Sequence, residues 1–439
     1  MRRLLLRRSA TAVGIYSSFA FGLLGTVAAS RELPSVRAFG DYSTVIFATS
    51  FLQSFFDLTA EEALVKYGFR YITREEWGRL SRLFSSALWV KLVGAALGAL
   101  GLVVFAAFAP SRLALPLLLA AGIPLGQSLE GLAGIPLYLR SRYDVRSAFL
   151  AWSMLLRFAG ILVGAHYGVV EAVAGVLAAQ VVATGSIGLA GRRVLARFPS
   201  APAASLGSDR REIVRFVLKS SSATGVASLR GSLLPLILGA VTNTTQTGLF
   251  RVAQAPQSVL GTLSSPARMV LLTEQTRDWE GGRQSLVLRG VRRYTLVALG
   301  LSVLVVPPLL VWVPNLIAFV NGSRYVGASD AARLFVFSAA VHLVVGWSKS
   351  FAVSIGRPDL RVWTYALDAV VALPLVFVLG GRWGAAGAAG AVLAGACAYA
   401  VAWASIVLRI RPDDSRAVET EDLRAEEAEI ESEAGAIAR

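Results

Sequence analysis

Cysteine is all but absent: Cys397 is the only one in 439 residues, so no disulfide framework can form and no redox compartment can be inferred. Histidine is nearly as scarce, with His166 and His342 alone. Two imidazoles and one thiol are too few for a protein-ligated transition-metal centre. Charge is thin as well, at 16% of residues against 55% hydrophobic. That leaves too little polar sequence to coat the apolar runs as soluble helices, which excludes a soluble globular domain. The glycine-rich stretch Gly380–Gly390 lacks the Gly-Lys-Ser/Thr of a nucleotide loop, so no ATPase is encoded. Its small residues at every third or fourth position instead suit close helix packing.

What the chain does hold is apolar sequence in runs of about twenty residues, the length that crosses a bilayer core as a helix. The N-terminus, Met1-Arg-Arg-Leu-Leu-Leu-Arg-Arg8, starts like a signal peptide. The apolar run that follows to about Ser30 is too long for one, and no convincing cleavage site precedes Arg31-Glu32-Leu33-Pro34. It counts as the first span. Further spans are expected near 43–67, 84–107, 113–138, 147–167 and 169–190, then near 214–240, 245–272, 294–320, 331–353, 359–379 and 384–408. The expectation is an all-α polytopic membrane protein of about 12 transmembrane helices.

Arginine placement gives the orientation. With the N-terminus inside, inner segments carry clusters such as Arg70, Arg74, Arg79 and Arg82, then Arg140, Arg142 and Arg146, then Arg192, Arg193 and Arg197. Outer segments hold only Arg31, Arg37, Arg112, Arg324 and Arg382. This alternation follows the positive-inside rule and puts both termini in the cytoplasm. It also accounts for the net charge of +15 without nucleic acid, because the arginines are spread loop by loop and form no single basic stripe. The acidic tail beyond residue 410 is expected to be a solvated, partly disordered terminus, with no assigned role.

The chain repeats itself. Arg142-Tyr-Asp-Val-Arg146 and Arg357-Pro-Asp-Leu-Arg361 each precede a long apolar stretch, then Tyr167-Gly168 or Trp383-Gly384, then related Ala-Gly-Val-Leu sequence. A collinear match over roughly forty residues indicates homologous halves. A fainter echo pairs Gly40-Asp-Tyr42 with Gly248-Leu-Phe250. The expected organisation is an N-lobe over 1–190, a polar cytoplasmic linker over 191–212, a C-lobe over 213–410 and an acidic tail over 411–439. Six spans per half make the repeats parallel, and transporters built this way hold substrate in a central cleft between six-helix lobes that rock to alternate access.

Polar residues at helical spacing mark what would face such a cleft. Ser50, Gln53, Ser54, Asp57 and Glu61 share one face of the second span if its helix is continuous. Arg251, Gln254, Ser258, Thr262 and Ser265 do so in the eighth, Lys219 and Arg230 in the seventh, and Ser338, His342 and Lys349 in the tenth. Lys91, Glu130 and Arg157 add single charges elsewhere. Ionisable groups inside a membrane usually line a pathway. Bland readings compete: Lys219, Glu62, Arg251 and Lys349 are near enough to span ends to snorkel, and Asp57 or Glu130 could form structural pairs with Lys91 or Arg157.

Several short motifs, in order, resemble a known family: Arg37-Ala-Phe-Gly-Asp-Tyr42, Asp57-Leu-Thr, Gly248-Leu-Phe250-Arg-Val-Ala253, Asn321-Gly-Ser-Arg-Tyr325-Val-Gly-Ala, Ile355-Gly-Arg-Pro358 and Trp383-Gly-Ala-Ala-Gly-Ala. The chain, to about residue 410, resembles polysaccharide biosynthesis flippases of the Wzx-like, O-antigen translocase type. Their superfamily includes multidrug and toxin extrusion transporters and lipid II flippases. One departure is Asp57-Leu-Thr, where the family often has Asp-x-Gly. The resemblance implies translocation of a polyprenyl-pyrophosphate-linked oligosaccharide from the inner to the outer leaflet of a bacterial cytoplasmic membrane. It also implies a possible tie to other polysaccharide assembly proteins, and no enzymatic activity.

The residues agree with an anionic substrate, since Arg suits bidentate phosphate recognition in a low-dielectric setting. Arg230, Lys91, Arg157 and Arg251 are the candidate anion-binding residues, and Gln53, Gln254 and Ser258 the candidate sugar contacts. Asp57, Glu61 or Glu130 are candidates to couple a proton or sodium gradient; no cofactor is expected. One alternative is a cation-coupled multidrug exporter of the same superfamily, which would want an acidic, aromatic cavity. Another is a membrane glycan polymerase or ligase, which would want a sizeable outer loop where this chain has only short ones.

Overall fold

Long runs free of charge leave the backbone no partner in a bilayer except itself, and the chain answers with helices throughout. The computed structural model describes residues 2–263, 275, 277–279, 282–357 and 359–410, and among these there is no strand. The first half contains α1 (Arg2–Glu32), α2 (Val36–Phe56), α3 (Ala60–Thr73), α4 (Trp77–Phe108), α5 (Ser111–Ala120), α6 (Gly122–Ala133), α7 (Ile135–Leu139), α8 (Tyr143–Tyr167) and α9 (Val169–Leu195). The second contains α10 (Asp209–Ser228), α11 (Leu234–Val241), α12 (Thr244–Ala253), α13 (Ala255–Leu263), α14 (Gln284–Asn321), α15 (Ser329–Val344), α16 (Ser348–Ser354), α17 (Asp359–Leu375) and α18 (Gly381–Arg409).

Eight helical segments among the described residues, some of them broken within, are long and apolar enough to span a membrane. The 12-span layout is reached because other traverses are interrupted. One is α2 with α3, another is α10 with α11 through a π-turn at Leu229–Leu233, and a third begins with α12. The run Asp359–Arg409 counts as two, because Gly384 has non-helical φ/ψ inside it. Large apolar side chains point outward, among them Phe319 at 78% exposure and Leu304 at 73%, as a lipid-facing surface requires.

The repeat seen in the sequence reappears in the backbone. Arg142 caps the start of α8 and Arg357 lies just before α17, while Gly168 (φ 151°) and Gly384 (φ 55°) sit at the matching turns. At Gly384 the turn is held by Gln246, whose Oε1 accepts the Ala385 N–H at 2.9 Å. Glycines also set how closely helices pack. A Cβ on Gly160 would lie 2.3 Å from the Gly175 carbonyl oxygen, so α8 and α9 touch backbone to backbone.

Packing groups the chain into two compact units. One comprises Met1–Ala255, Trp312–Phe335 and Ala369–Val392; the other comprises Pro256–Val311, Val336–Asp368 and Leu393–Arg439. Within the second, Trp347, Phe351, Tyr399 and Trp403 form an aromatic core, with His342 stacked on Tyr399 at 5.7 Å. Within the first, Tyr67, Tyr71, Leu80 and Leu83 bury against Ile213 of α10. Polar contacts reinforce that seam: the Tyr67 and Tyr71 hydroxyls each donate at 3.0 Å, to Glu212 and Asp209.

Two expected helical faces are broken. The second span is not continuous, because α2 stops at Phe56 and Asp57 takes an extended conformation (φ −77°, ψ 102°). The tenth is interrupted between α15 and α16, so helical periodicity does not carry Ser338 and His342 onto the face of Lys349. The side chains of Arg230, Thr262 and Ser265, and the acidic tail over 411–439, lie outside the described residues.

Candidate functional site

The break in the second span organises the polar interior of the first unit. Without a glycine after Asp57, the chain still leaves the helix there: the Asp57 N–H closes the last turn on the Gln53 carbonyl at 2.7 Å. Its carboxylate then turns to α4. Lys91 is 1% exposed, and its Nζ lies 2.5 Å from Asp57 Oδ1 and 2.6 Å from Glu61 Oε1. Glu61 stands in the first turn of α3, where a carboxylate also complements the positive end of the helix dipole. Two glycines make the cluster possible. A Cβ on Gly94 would stand 2.4 Å from the Phe56 carbonyl oxygen, and one on Gly131 would stand 2.4 Å from Glu61 Oε1. From α10, the Ser221 hydroxyl accepts the Thr59 N–H at 3.0 Å, and Ser220 bonds Glu62.

One helical turn earlier, Gln53 opens a second network. The Gln127 amide, oriented with its nitrogen toward Gln53, presents its oxygen to the Arg157 guanidinium at 2.8 and 3.1 Å. Arg157 also donates to the fully buried Gln180 and lies 3.8 Å from Glu130 Oε2. Gln180 Nε2 in turn donates to Glu130 at 2.8 Å and to Thr184 at 2.9 Å. Four helices, α2, α6, α8 and α9, therefore share one buried polar chain. Such networks are stable only when nearly every member is satisfied.

Arg251 differs from both. It rests over the Phe47 ring of α2, 5.1 Å from the centroid, and among the described residues no carboxylate pairs with it. Tyr42 is buried on the same helix, α2. α12 reaches α2 through the two glycines that echo each other in sequence. A Cβ on Gly40 would stand 1.8 Å from the Thr244 carbonyl oxygen, and one on Gly248 would stand 3.0 Å from the Gly40 nitrogen. The same end of this unit is clasped by the 321–328 segment. Asn321 donates to the Ser30 hydroxyl at 2.8 Å, and Arg324 and Tyr325 donate to the Ser30 carbonyl at 2.6 and 2.9 Å. Arg324 and Tyr325 thereby satisfy carbonyls in the last turn of α1.

The candidate residues thus fall into groups. Lys91, Asp57 and Glu61 meet in one cluster; Gln53, Arg157 and Glu130 meet in the next; Arg251 stands on α12 beside α2. Gln254 caps α12, and Ser258 is exposed on α13. Arg230 lies on the π-turn Leu229–Leu233. Gln127, Gln180 and Thr184 join the site without having been singled out in the sequence. Their signal was available as isolated amides and a hydroxyl inside apolar spans, weaker than a charge but costly to bury for the same reason.

The fold is similar to that of solved MOP-superfamily transporters. Lipid II flippase MurJ in its inward closed conformation is similar to this chain at a TM-score of 0.71 and 12% identity, over 92% of this chain and 88% of that one. An inward-facing multidrug resistance MATE family transporter gives a TM-score of 0.66 at 12% identity, over 89% and 94%. A MOP superfamily transporter from Pyrococcus furiosus, described as having a binding pocket of reverse polarity, gives 0.57 at 13%, over 91% and 93%. No family model and no curated protein matches the chain. At these identities the likeness is one of fold.

Proposed function

We propose that this protein is a flippase that moves a polyprenyl-pyrophosphate-linked oligosaccharide from the inner to the outer leaflet of a bacterial cytoplasmic membrane by alternating access. Both termini are then cytoplasmic, and the protein acts beside other polysaccharide assembly proteins and not as an enzyme. The observation that carries the reading is Arg251. It is a guanidinium inside the bundle with an aromatic ring under it and no carboxylate among the described residues, suited to a bidentate hold on phosphate. Arg157 and Arg230 are assigned to the same anion path, with Gln53, Gln254 and Ser258 toward the glycan. Lys91 belongs to the path only when its two carboxylates release it.

Asp57, Glu61 and Glu130 are the groups proposed to exchange a proton or bind sodium. Asp57 and Glu61 outnumber Lys91 by one negative charge. That local acidity favours one second reading, a cation-coupled drug exporter.

Liposomes containing the purified protein and a fluorescent polyprenyl-pyrophosphate sugar separate the two. Leaflet transfer by the wild type that falls at least about tenfold in Arg251→Gln, a loss near 1.4 kcal/mol of transition-state stabilisation, supports the flippase and its anion site. Efflux of a cationic dye without lipid transfer moves the protein to the exporter reading. Transfer untouched by Arg251→Gln keeps the flippase and removes Arg251 from its path.

A further inference from the structure

Away from the buried networks, the arginine-rich end of the first unit holds a cavity of about 390 Å³ lined by Leu137, Arg140, Arg142, Val145, Ala190, Arg193, Val194 and Arg197. Four arginines line it from three places: the end of α7, the turn into α8, and the last turn of α9 and beyond; of these, Arg140 donates to the Arg197 carbonyl at 2.7 Å and lies over the Phe198 ring. Among the described residues, the carboxylate paired to this set is Asp144, 3.2 Å from Arg142. The floor is aliphatic.

The positive-inside rule alone would put arginines at this end of the helices. It does not require them to face one another. Ser141 takes the left-handed conformation at φ 54°, a strained choice for a residue with a side chain, and the arginines on both sides of it line the cavity. One turn into α8, Arg146 is 8% exposed, with Nε and Nη1 lacking hydrogen-bond partners among the described residues; it does not line the cavity but packs against Gly134. On α9, Val182 and Leu189, exposed at 53% and 63%, lie on the helix face that ends at Arg193. An apolar helix face leading up to a cluster of guanidinium groups has the order of a lipid, acyl chain first and phosphate after.

We infer that this cavity binds the phosphate of an anionic phospholipid headgroup, apart from the transport path. Guanidinium groups near a membrane surface each add attraction for an anionic lipid, and basic pockets between spans are suited to such headgroups. The lipid would fasten α7, α8 and α9 together at their arginine-rich ends.

Native mass spectrometry of the detergent-purified protein tests this, with added phosphatidylglycerol, with phosphatidylcholine of the same chains, and with inorganic pyrophosphate as the free-anion arm. The expected result is retention of phosphatidylglycerol over phosphatidylcholine by roughly tenfold or more. Retention falls to parity in Arg142→Gln/Arg193→Gln/Arg197→Gln and persists in Arg210→Gln/Arg211→Gln/Arg215→Gln, which strips the open basic groove of α10. Should the first triple fail to fold, Arg193→Gln alone, on the exposed face, is expected to lose part of the preference. Equal retention of the two lipids overturns the site. Equal loss in both triples reduces it to general surface charge and overturns it too. Displacement of the lipid by millimolar pyrophosphate assigns the cavity to a soluble phosphate and overturns the lipid.

Discussion

Replacing Lys91 with methionine is the sharpest perturbation of the helix break. The substitution keeps the volume and leaves Asp57 and Glu61, both held within 2.6 Å of the lost ammonium, facing each other without a cation. Their oxygens are then no more than about 5 Å apart, and at an effective dielectric of about 20 the repulsion is about 3 kcal/mol. Stripping one partner from a buried pair costs a similar amount, about 3–5 kcal/mol. The two carboxylates are 26% and 28% exposed, so water recovers part of it, and a net loss of about 2–3 kcal/mol is expected. Asp57→Asn should behave differently, because it leaves Lys91 paired one-to-one with Glu61; a loss of about 1 kcal/mol or less follows. Denaturant unfolding of the purified protein compares these with Lys91→Met/Asp57→Asn/Glu61→Gln, which removes all three charges and should recover most of the stability. A lysine variant no less stable than Asp57→Asn, or a triple no better than the lysine variant, refutes the idea that Lys91 is there to neutralise the pair.

Gly40→Val puts a Cβ 1.8 Å from the Thr244 carbonyl, so α2 and α12 must part; a melt should show a loss at or above the usual overpacking range of about 1–3 kcal/mol, while Gly22→Ala, with nothing within 4 Å, should be neutral or better. Glu212 lies in the first turn of α10, ahead of the apolar run that begins near residue 214, and its hydrogen bonds from Arg70 and then Tyr67 hold its carboxyl below the usual carboxylate range. Because that shift is downward, its stabilisation is complete above the unfolded value near 4.3 and disappears as pH falls through the folded one. The gap in melting temperature between wild type and Glu212→Gln should therefore be open at neutral pH and close in acid.

The spans were legible because hydrophobic length is a property of local sequence. Twelve could be counted from runs such as 359–379 and 384–408, and the break between them at Gly384 was marked by the repeat of Tyr167-Gly168. The interruptions were harder to see. Helical periodicity placed Asp57 and Glu61 on one face, but Asp57 gains more by leaving the helix to reach Lys91, a partner 34 residues on. Periodicity reports only neighbours one or two turns away and is blind to such a gain. The same limit hid Gln180, whose value lies in touching Arg157, Glu130 and Thr184 at once. Charged pairs were foreseeable as types, Asp57 or Glu130 with Lys91 or Arg157; which carboxylate met which base needed the packing of α4 against α2 and α3 and of α6 and α8 against α9.

Arg157 and Arg251 look alike in sequence, yet their surroundings require opposite responses to the same substitution. Arg157 is held by Gln127, Gln180 and Glu130, and Glu130 is only 7% exposed. Arg157→Gln strands that carboxylate, so a stability loss of about 2–4 kcal/mol is expected, partly recovered by adding Glu130→Gln. Among the described residues Arg251 gives up its contact with the Phe47 ring, worth about 1 kcal/mol, so Arg251→Gln should unfold almost as the wild type does. If Arg251 holds the phosphate, that nearly intact protein should nonetheless transfer the lipid-linked sugar poorly. Arg251→Lys, which keeps the charge without the fork, should recover only part of the rate. Paired unfolding and transfer measurements on the four variants therefore separate what each arginine contributes to the fold from what it contributes to transfer. Equal loss of stability in both single glutamine variants would show that the absence of a carboxylate beside Arg251 is no guide to its role.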